Sequence, residues 1–199
     1  MQRAITAATA ALILILSIAC AKTESTTDTA STDTAATQTT VTSPAGEASA
    51  PPPDTVTPGD REFAEKAART GMAEVQLATN VTQRATSPDV KAFARKMIED
   101  HNRSNQELTT LAARKGLDPP ADLDPEKKAL DAELAKLTGP ALDKAYMEAM
   151  VKDHVNAATE FESASRQLAD PDLKAWAAKT LPVLHEHHHL AEQIVAKLK

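Results

Sequence analysis

From Asp60 onward, apolar residues return every three or four positions, the spacing of one face of a helix. Ala67, Gly71, Glu74, Ala78, Val81 and Ala85 share a first stripe. Ser87-Pro88-Asp89 then reads as a helix start, with Ser as N-cap, Pro in the first turn and an acid behind it. Val90, Phe93, Ala94, Met97, His101, Leu108 and Leu111 make a second stripe, and Gly116 is its predicted stop. Residues 117–137 read as a crossover, with a short helix opening at Asp124-Pro125-Glu126 and Leu130, Leu134 and Leu137 along one side. Gly139-Pro140 opens a third long helix, with Leu142, Met147, Met150, His154, Phe161 and Leu168 on its stripe. Asp170-Pro171-Asp172 opens a fourth, with Leu173, Ala177, Leu181, Leu184, Ala191 and Val195. Pro182 falls inside that helix, where it removes a backbone hydrogen bond and is expected to kink it.

Two internal echoes organise these helices. Residues 87–94 match residues 170–177 almost position for position, and both mark the turn of a helical hairpin. Met97-Ile98-Glu99-Asp100-His101 also echoes Met150-Val151-Lys152-Asp153-His154. Two hairpins of related sequence, joined by the crossover, predict an all-α four-helix bundle.

Several segments carry a resemblance to a known family. They are Gly71-Met72-Ala73-Glu74-Val75, Val90-Lys91-Ala92-Phe93-Ala94 leading to Asp100-His101, Ala145-Tyr146 leading to Asp153-His154, and Thr180-Leu181-Pro182-Val183-Leu184 leading to His187. From about Glu62 to Ile194 the chain resembles the domain-of-unknown-function 4142 family of exported bacterial proteins, grouped with the ferritin-like folds. The resemblance implies a ferritin-like bundle and an exported location, and no particular activity.

The chain before residue 60 has a different character. Residues 1–20 read as an export signal, with Arg3 ahead of an apolar run centred on Leu12-Ile13-Leu14-Ile15-Leu16. That run ends in Leu16-Ser17-Ile18-Ala19-Cys20, which resembles a bacterial lipoprotein signal whose cysteine carries the lipid; Ser17 replaces the usual Leu. Cleavage after Ala21, releasing a soluble periplasmic protein, is the alternative. Ala21 in place of Asp after the cysteine favours the outer over the inner membrane, by the same resemblance. Residues 21–59, rich in Thr, Ser and Pro without apolar periodicity, read as a disordered linker. Residues 60–199 are the expected folded domain.

Composition narrows the chemistry. Aromatic residues make up only 3% of the chain, too few for a typical β-sandwich or barrel. The single cysteine excludes a disulfide framework and any Cys-rich metal site. A net charge of −6 with both signs interspersed argues against nucleic acid as a partner. No phosphate loop, nucleophile elbow or His-Glu-x-x-His is present.

The remaining candidates are polar residues on apolar stripes. Glu74 and His101 lie at similar distances from the Pro88 turn, and His154 and His187 from the Pro171 turn. With helices of about 30 residues, 1.5 Å per residue brings all four to mid-height. One Glu and three His in a bundle core suit Zn, Cu or Fe, with Asp100 and Asp153 as further ligands or as groups orienting the imidazoles. The spacing departs from the di-iron pattern: Ile98 and Leu184 stand three residues before His101 and His187. The literal Glu186-x-x-His189 faces away from the apolar stripe. One metal or none is expected, rather than a coupled pair. A histidine on such a stripe is more often a hydrogen-bonded structural residue, so buried Asp–His or Glu–His pairs that fix helix register are the competing reading. Met97/His101 and Met150/His154 could serve Cu(I), although Met more often fills core gaps. His185 and His189 could form a surface clip.

The functional expectation is a lipid-anchored envelope protein, non-enzymatic, with a Glu/His metal-binding or buried polar centre. The alternatives are a ferritin-like, metal-dependent redox enzyme and a purely structural envelope module. The expected partner is the membrane, reached through a lipid on Cys20.

Overall fold

The computed structural model describes residues 55–119, 121–123 and 125–198. The predicted signal, Cys20 and the linker through residue 54 lie outside the described residues, as does Asp124. Five helices follow: α1 (Pro58–Arg84), α2 (Pro88–Arg114), α3 (Pro125–Ala135), α4 (Gly139–Gln167) and α5 (Pro171–Lys197).

Capping chemistry fixes the ends. Thr57 and Asp60 form a reciprocal capping box, so α1 begins at Pro58, two residues before the expected Asp60. Ser87 and Asp170 cap α2 and α5 as their Pro-Asp followers predict. Gly116 adopts φ +63°, the left-handed conformation that ends α2. The α5 helix continues unbroken through Pro182, which lies on its exposed side.

Two aspartates establish the chain path. Asp143, in the first turns of α4, accepts hydrogen bonds from Thr86 N (3.0 Å), Thr86 Oγ1 (2.6 Å) and Ser87 N (2.8 Å). Asp60, in the first turn of α1, accepts from Ala169 N (3.0 Å) and Asp170 N (3.2 Å). The start of α4 therefore meets the α1–α2 turn, and the start of α1 meets the α4–α5 turn. The two turns lie at opposite ends, so α2 and α4 run parallel and the crossover spans the bundle. Around the bundle the neighbours are α1, α2, α5 and α4, each antiparallel to the next. This is the ferritin-like four-helix arrangement of two hairpins joined by a crossover. Arg84 anchors that crossover by donating to the carbonyls of Ala135 (2.9 Å) and Leu137 beyond the end of α3. Asp131 accepts from Gln76 (2.6 Å) and Asn80 (2.9 Å) of α1.

A shift of 83 positions relates the hairpins throughout. It carries Ser87 to Asp170, Val90 to Leu173 and Asp60 to Asp143. It also carries the Phe63–Trp176 ring pair onto Tyr146–Phe93, with edge-on centroid separations of 6.0 and 6.2 Å. The second echo, Met97–His101 against Met150–His154, instead relates the parallel helices α2 and α4. It is not part of the hairpin correspondence. Two apolar clusters result. One, toward the α1–α2 turn, includes Leu77, Val81, Phe93, Met97, Tyr146 and Met150; the other, toward the α4–α5 turn, includes Phe63, Leu111, Phe161 and Trp176.

Asp143→Ala and Asp60→Ala should each lower unfolding free energy by about 2–3 kcal/mol, the scale for buried hydrogen bonds to a charged acceptor. Urea unfolding monitored by circular dichroism checks this.

Candidate metal centre

The polar residues of the four long helices meet between the two apolar clusters. Glu74, His154 and His187 are fully buried, and His101 is 7% exposed. Ring centroids lie 5.9 Å apart for His101 and His154, and 5.3 Å for each of the other two pairs. The mid-height convergence expected from the turn distances is present.

Each imidazole has one nitrogen committed. His101 Nδ1 faces Glu74 Oε2 at 3.0 Å. His154 Nδ1 donates to the Met150 carbonyl one turn back, at 2.9 Å. His187 Nε2 donates to Asp100 Oδ2 at 2.9 Å. The opposite atoms, His101 Nε2, His154 Nε2 and His187 Nδ1, are buried and have no hydrogen-bond partner among the described residues. Nδ1 of His154 and Nε2 of His187 carry a proton toward their acceptors, so in the neutral imidazole the lone pair falls on the opposite nitrogen.

The donor atoms of the three histidines all lie within 4.8 Å of one another. Any triangle of that size has a point within roughly 2.8 Å of each corner, so ring shifts below about 1 Å reach the 2.0–2.1 Å of a zinc–imidazole bond. Pinning one nitrogen to a carboxylate or carbonyl while the other faces inward is the usual arrangement around metal-ligating histidines. Burial lowers the pKa of His101 below its ordinary value, against the pull of Glu74. Burial also lowers His187 to about 4, its hydrogen bond to Asp100 opposing this only in part. Both rings are therefore neutral at pH 7, the form that ligates. Burial disfavours the Glu74 carboxylate, but its interactions with His101, His154, Lys127 and His187 outweigh that and hold its pKa below the usual value.

The expected site residues divide by role. His101, His154 and His187 form the converging set. Glu74 stands behind His101 and orients it, and is not among the three converging donors. Asp100 orients His187 across the α2–α5 interface, not its neighbour His101, and is itself held by Lys96 at 3.0 Å. Asp153 pairs with Lys127 of α3 at 2.7 Å, and no ion pair joins it to a histidine among the described residues. Lys127 carries no periodic signal and was not foreseen; only its place on the crossover brings it here. Met97 and Met150 are fully buried one turn from His101 and His154. His185 and His189 are exposed, and His189 Nε2 lies 2.8 Å from Gln193 Nε2. Glu186 faces outward to Lys96, so Glu186-x-x-His189 contributes nothing to the buried layer.

The fold and site define a ferritin-like helical bundle with a buried three-histidine layer. The chain belongs to the family described as Domain of unknown function (DUF4142), which it matches over residues 42–194, beginning upstream of Glu62. Among solved structures it is similar to the crystal structure of a DUF305 fragment from Deinococcus radiodurans. The TM-score is 0.65 at 17% identity, over 73% of this chain and 99% of that one, a likeness of fold alone. No curated protein matches the chain.

The depressed His187 pKa has a defined sign. Between about 6.5 and about 4 the unfolded chain binds a proton that the folded chain refuses, so metal-free stability falls as pH drops through that window. Asp100, His101 and His154 face the ring, and His101, also lowered by burial, adds a loss of the same sign. One such group contributes a slope of up to about 1.4 kcal/mol per pH unit. Thermal unfolding from pH 7 to pH 4 should show this loss, and His187→Asn should reduce it, leaving the part contributed by His101.

Proposed function

We propose that this protein is a metal-binding bundle of the bacterial cell envelope, holding one first-row divalent ion between His101 Nε2, His154 Nε2 and His187 Nδ1. The observation that carries the reading is the three inward lone pairs, each fixed by an acceptor on the other side of its ring. Three buried acceptors without donors are costly as a purely structural arrangement, and a cation satisfies all three together. Nitrogen donors suit Zn, Cu or Fe rather than Mg or Ca. Glu74 and Asp100 place two carboxylates behind the imidazoles, which balances a divalent charge. Binding, not oxygen activation, is the proposed role, because the buried layer lacks the carboxylate ligands of a di-iron centre.

The location rests on the sequence before the bundle. A lipid on Cys20 and a linker with a reach of roughly 35 Å would hold the bundle away from the outer membrane surface. No helix among the described residues is long and apolar enough to cross a membrane.

Elemental analysis of untagged protein after equilibration with Zn²⁺, Cu²⁺ or Fe²⁺ should give one equivalent of a tightly held ion. His101→Ala and His154→Ala should each lower that affinity at least tenfold. Absence of stoichiometric metal, with stability unchanged by chelation, would leave the histidines as a structural layer.

For the anchor, Cys20→Ser should move the protein from the membrane fraction to the soluble periplasmic fraction. An unchanged membrane fraction counts against lipidation.

A further inference from the structure

One turn from the histidine layer, toward the α4–α5 turn, the bundle holds a cavity of about 30 Å³. That is room for about two water molecules. Gly71, Ser104, Ala157 and Leu184, which line it, each stand three residues from Glu74, His101, His154 and His187 on the same helix. The 83-position correspondence carries Glu74 to Ala157 and His101 to Leu184, and it carries Gly71 to His154 and Ser104 to His187. The cavity layer is thus the pseudo-symmetric mate of the histidine layer, with small or apolar residues at the equivalent positions. On the other side of the histidines, Met97, Met150, Ala78 and Ala191 are packed with no exposure. The layer therefore has one closed face and one face beside a cavity.

The cavity wall is polar on one side only. From α4 and α5 it receives Ala157, Phe161, Trp176 and Leu184, with Thr180, whose hydroxyl is committed to the Trp176 carbonyl. From α1 and α2 it receives Thr70, Glu74, His101, Ser104 and Asn105. Thr70, Ser104 and Asn105 are half-buried, whereas Glu74 is fully buried. Side-chain oxygens thus run from the surface inward to a carboxylate. Glu74 Oε2 faces His101 Nδ1, and Glu74 Oε1 is buried with no hydrogen-bond partner among the described residues. His101 is the one histidine of the three that keeps any exposure.

Asn105 closes the outer end of this path. Its amide rests against the α1 backbone at Gly71, where a Cβ would collide with Asn105 Oδ1. Glycine is what allows so close a seat. The obstruction is one half-exposed side chain rather than backbone, so rotamer rotation clears it.

An unpaired buried carboxylate oxygen repels anions and attracts cations. Building on the proposed three-histidine metal site, we propose that this cavity is the route by which the divalent ion enters and leaves. Asn105 is its gate, and Glu74 Oε1 receives the ion before the histidines do. A fully hydrated ion does not fit a space for about two waters, so most of its water is lost on the way. The oxygens of Thr70, Ser104, Asn105 and Glu74 stand in for that water. The three imidazoles then hold a first-row ion more tightly than a single carboxylate oxygen can. Trp176 Nε1, also buried without a partner among the described residues, suits the oxygen of a water that stays in the cavity.

The probe is Co²⁺ mixed rapidly with the metal-free full chain. Arrival is read from quenching of Trp176, the sole tryptophan, which lines the route. Release is read on adding excess chelator, and bound cobalt is counted at equilibrium. The variants are Asn105→Ala, which opens the gate, and Ala157→Val, which narrows the cavity; neither touches a proposed metal ligand. Asn105→Ala should speed both entry and release at least about fivefold, and Ala157→Val should slow both by a similar factor. Affinity, the ratio of the two rates, should stay within about twofold of the parent. Circular dichroism checks that each variant is folded; should Ala157→Val not fold, Asn105→Ala decides alone. A folded variant that loads and releases like the parent, or one that changes a single direction and hence the affinity, would overturn the route and leave the metal site standing. No cobalt in the parent at equilibrium would overturn both, and the metal count tells these failures apart.

Discussion

The centre depends on where each imidazole keeps its proton. Met150's carbonyl and the carboxylates of Glu74 and Asp100 each engage one nitrogen of one ring, which leaves the other nitrogen of each ring without a partner among the described residues. Burial keeps His101 and His187 neutral, so their lone pairs are not lost to protons near neutral pH. The surrounding ion pairs reinforce this geometry. Lys96 bridges Asp100 and Glu186, and Lys127 holds Asp153 while adding positive potential near Glu74.

The bundle presents these groups because of its chain path. A crossover that makes α2 and α4 parallel places His101 and His154 on diagonal helices at the same level, with Glu74 and His187 on the other diagonal. Asp60 and Asp143 enforce that path by tying each hairpin turn to the first turn of a helix from the other hairpin. The pseudo-two-fold relation is strong at the ends, where caps and aromatic pairs repeat. It breaks at mid-height, where one layer carries ligating side chains and its mate carries Gly71, Ser104, Ala157 and Leu184. A symmetric bundle would offer two equivalent layers. This one concentrates polarity in one layer and leaves space in the other.

Much of this was legible in the sequence. Pro-Asp pairs after polar caps located two helix starts, and Gly116 the end of α2, because each signal is a local backbone requirement. Counting residues from the turns placed Glu74, His101, His154 and His187 in one layer, because helical rise is uniform. The partners of those residues were not legible. Asp100 and His101 are adjacent in sequence yet point to different helices, and Asp153 turns to α3 instead of following His154. Lys127 lies on a short helix whose docking depends on Arg84 and Asp131, contacts that no periodicity encodes. Glu74 shares the layer that its position predicts, and one of its oxygens faces His101 Nδ1.

The most direct test of the account is anomalous diffraction at the zinc edge from crystals grown with one equivalent of Zn²⁺. A single strong peak bonded to His101 Nε2, His154 Nε2 and His187 Nδ1 is expected. A peak at exposed His185 and His189, with none inside the buried layer, would contradict it.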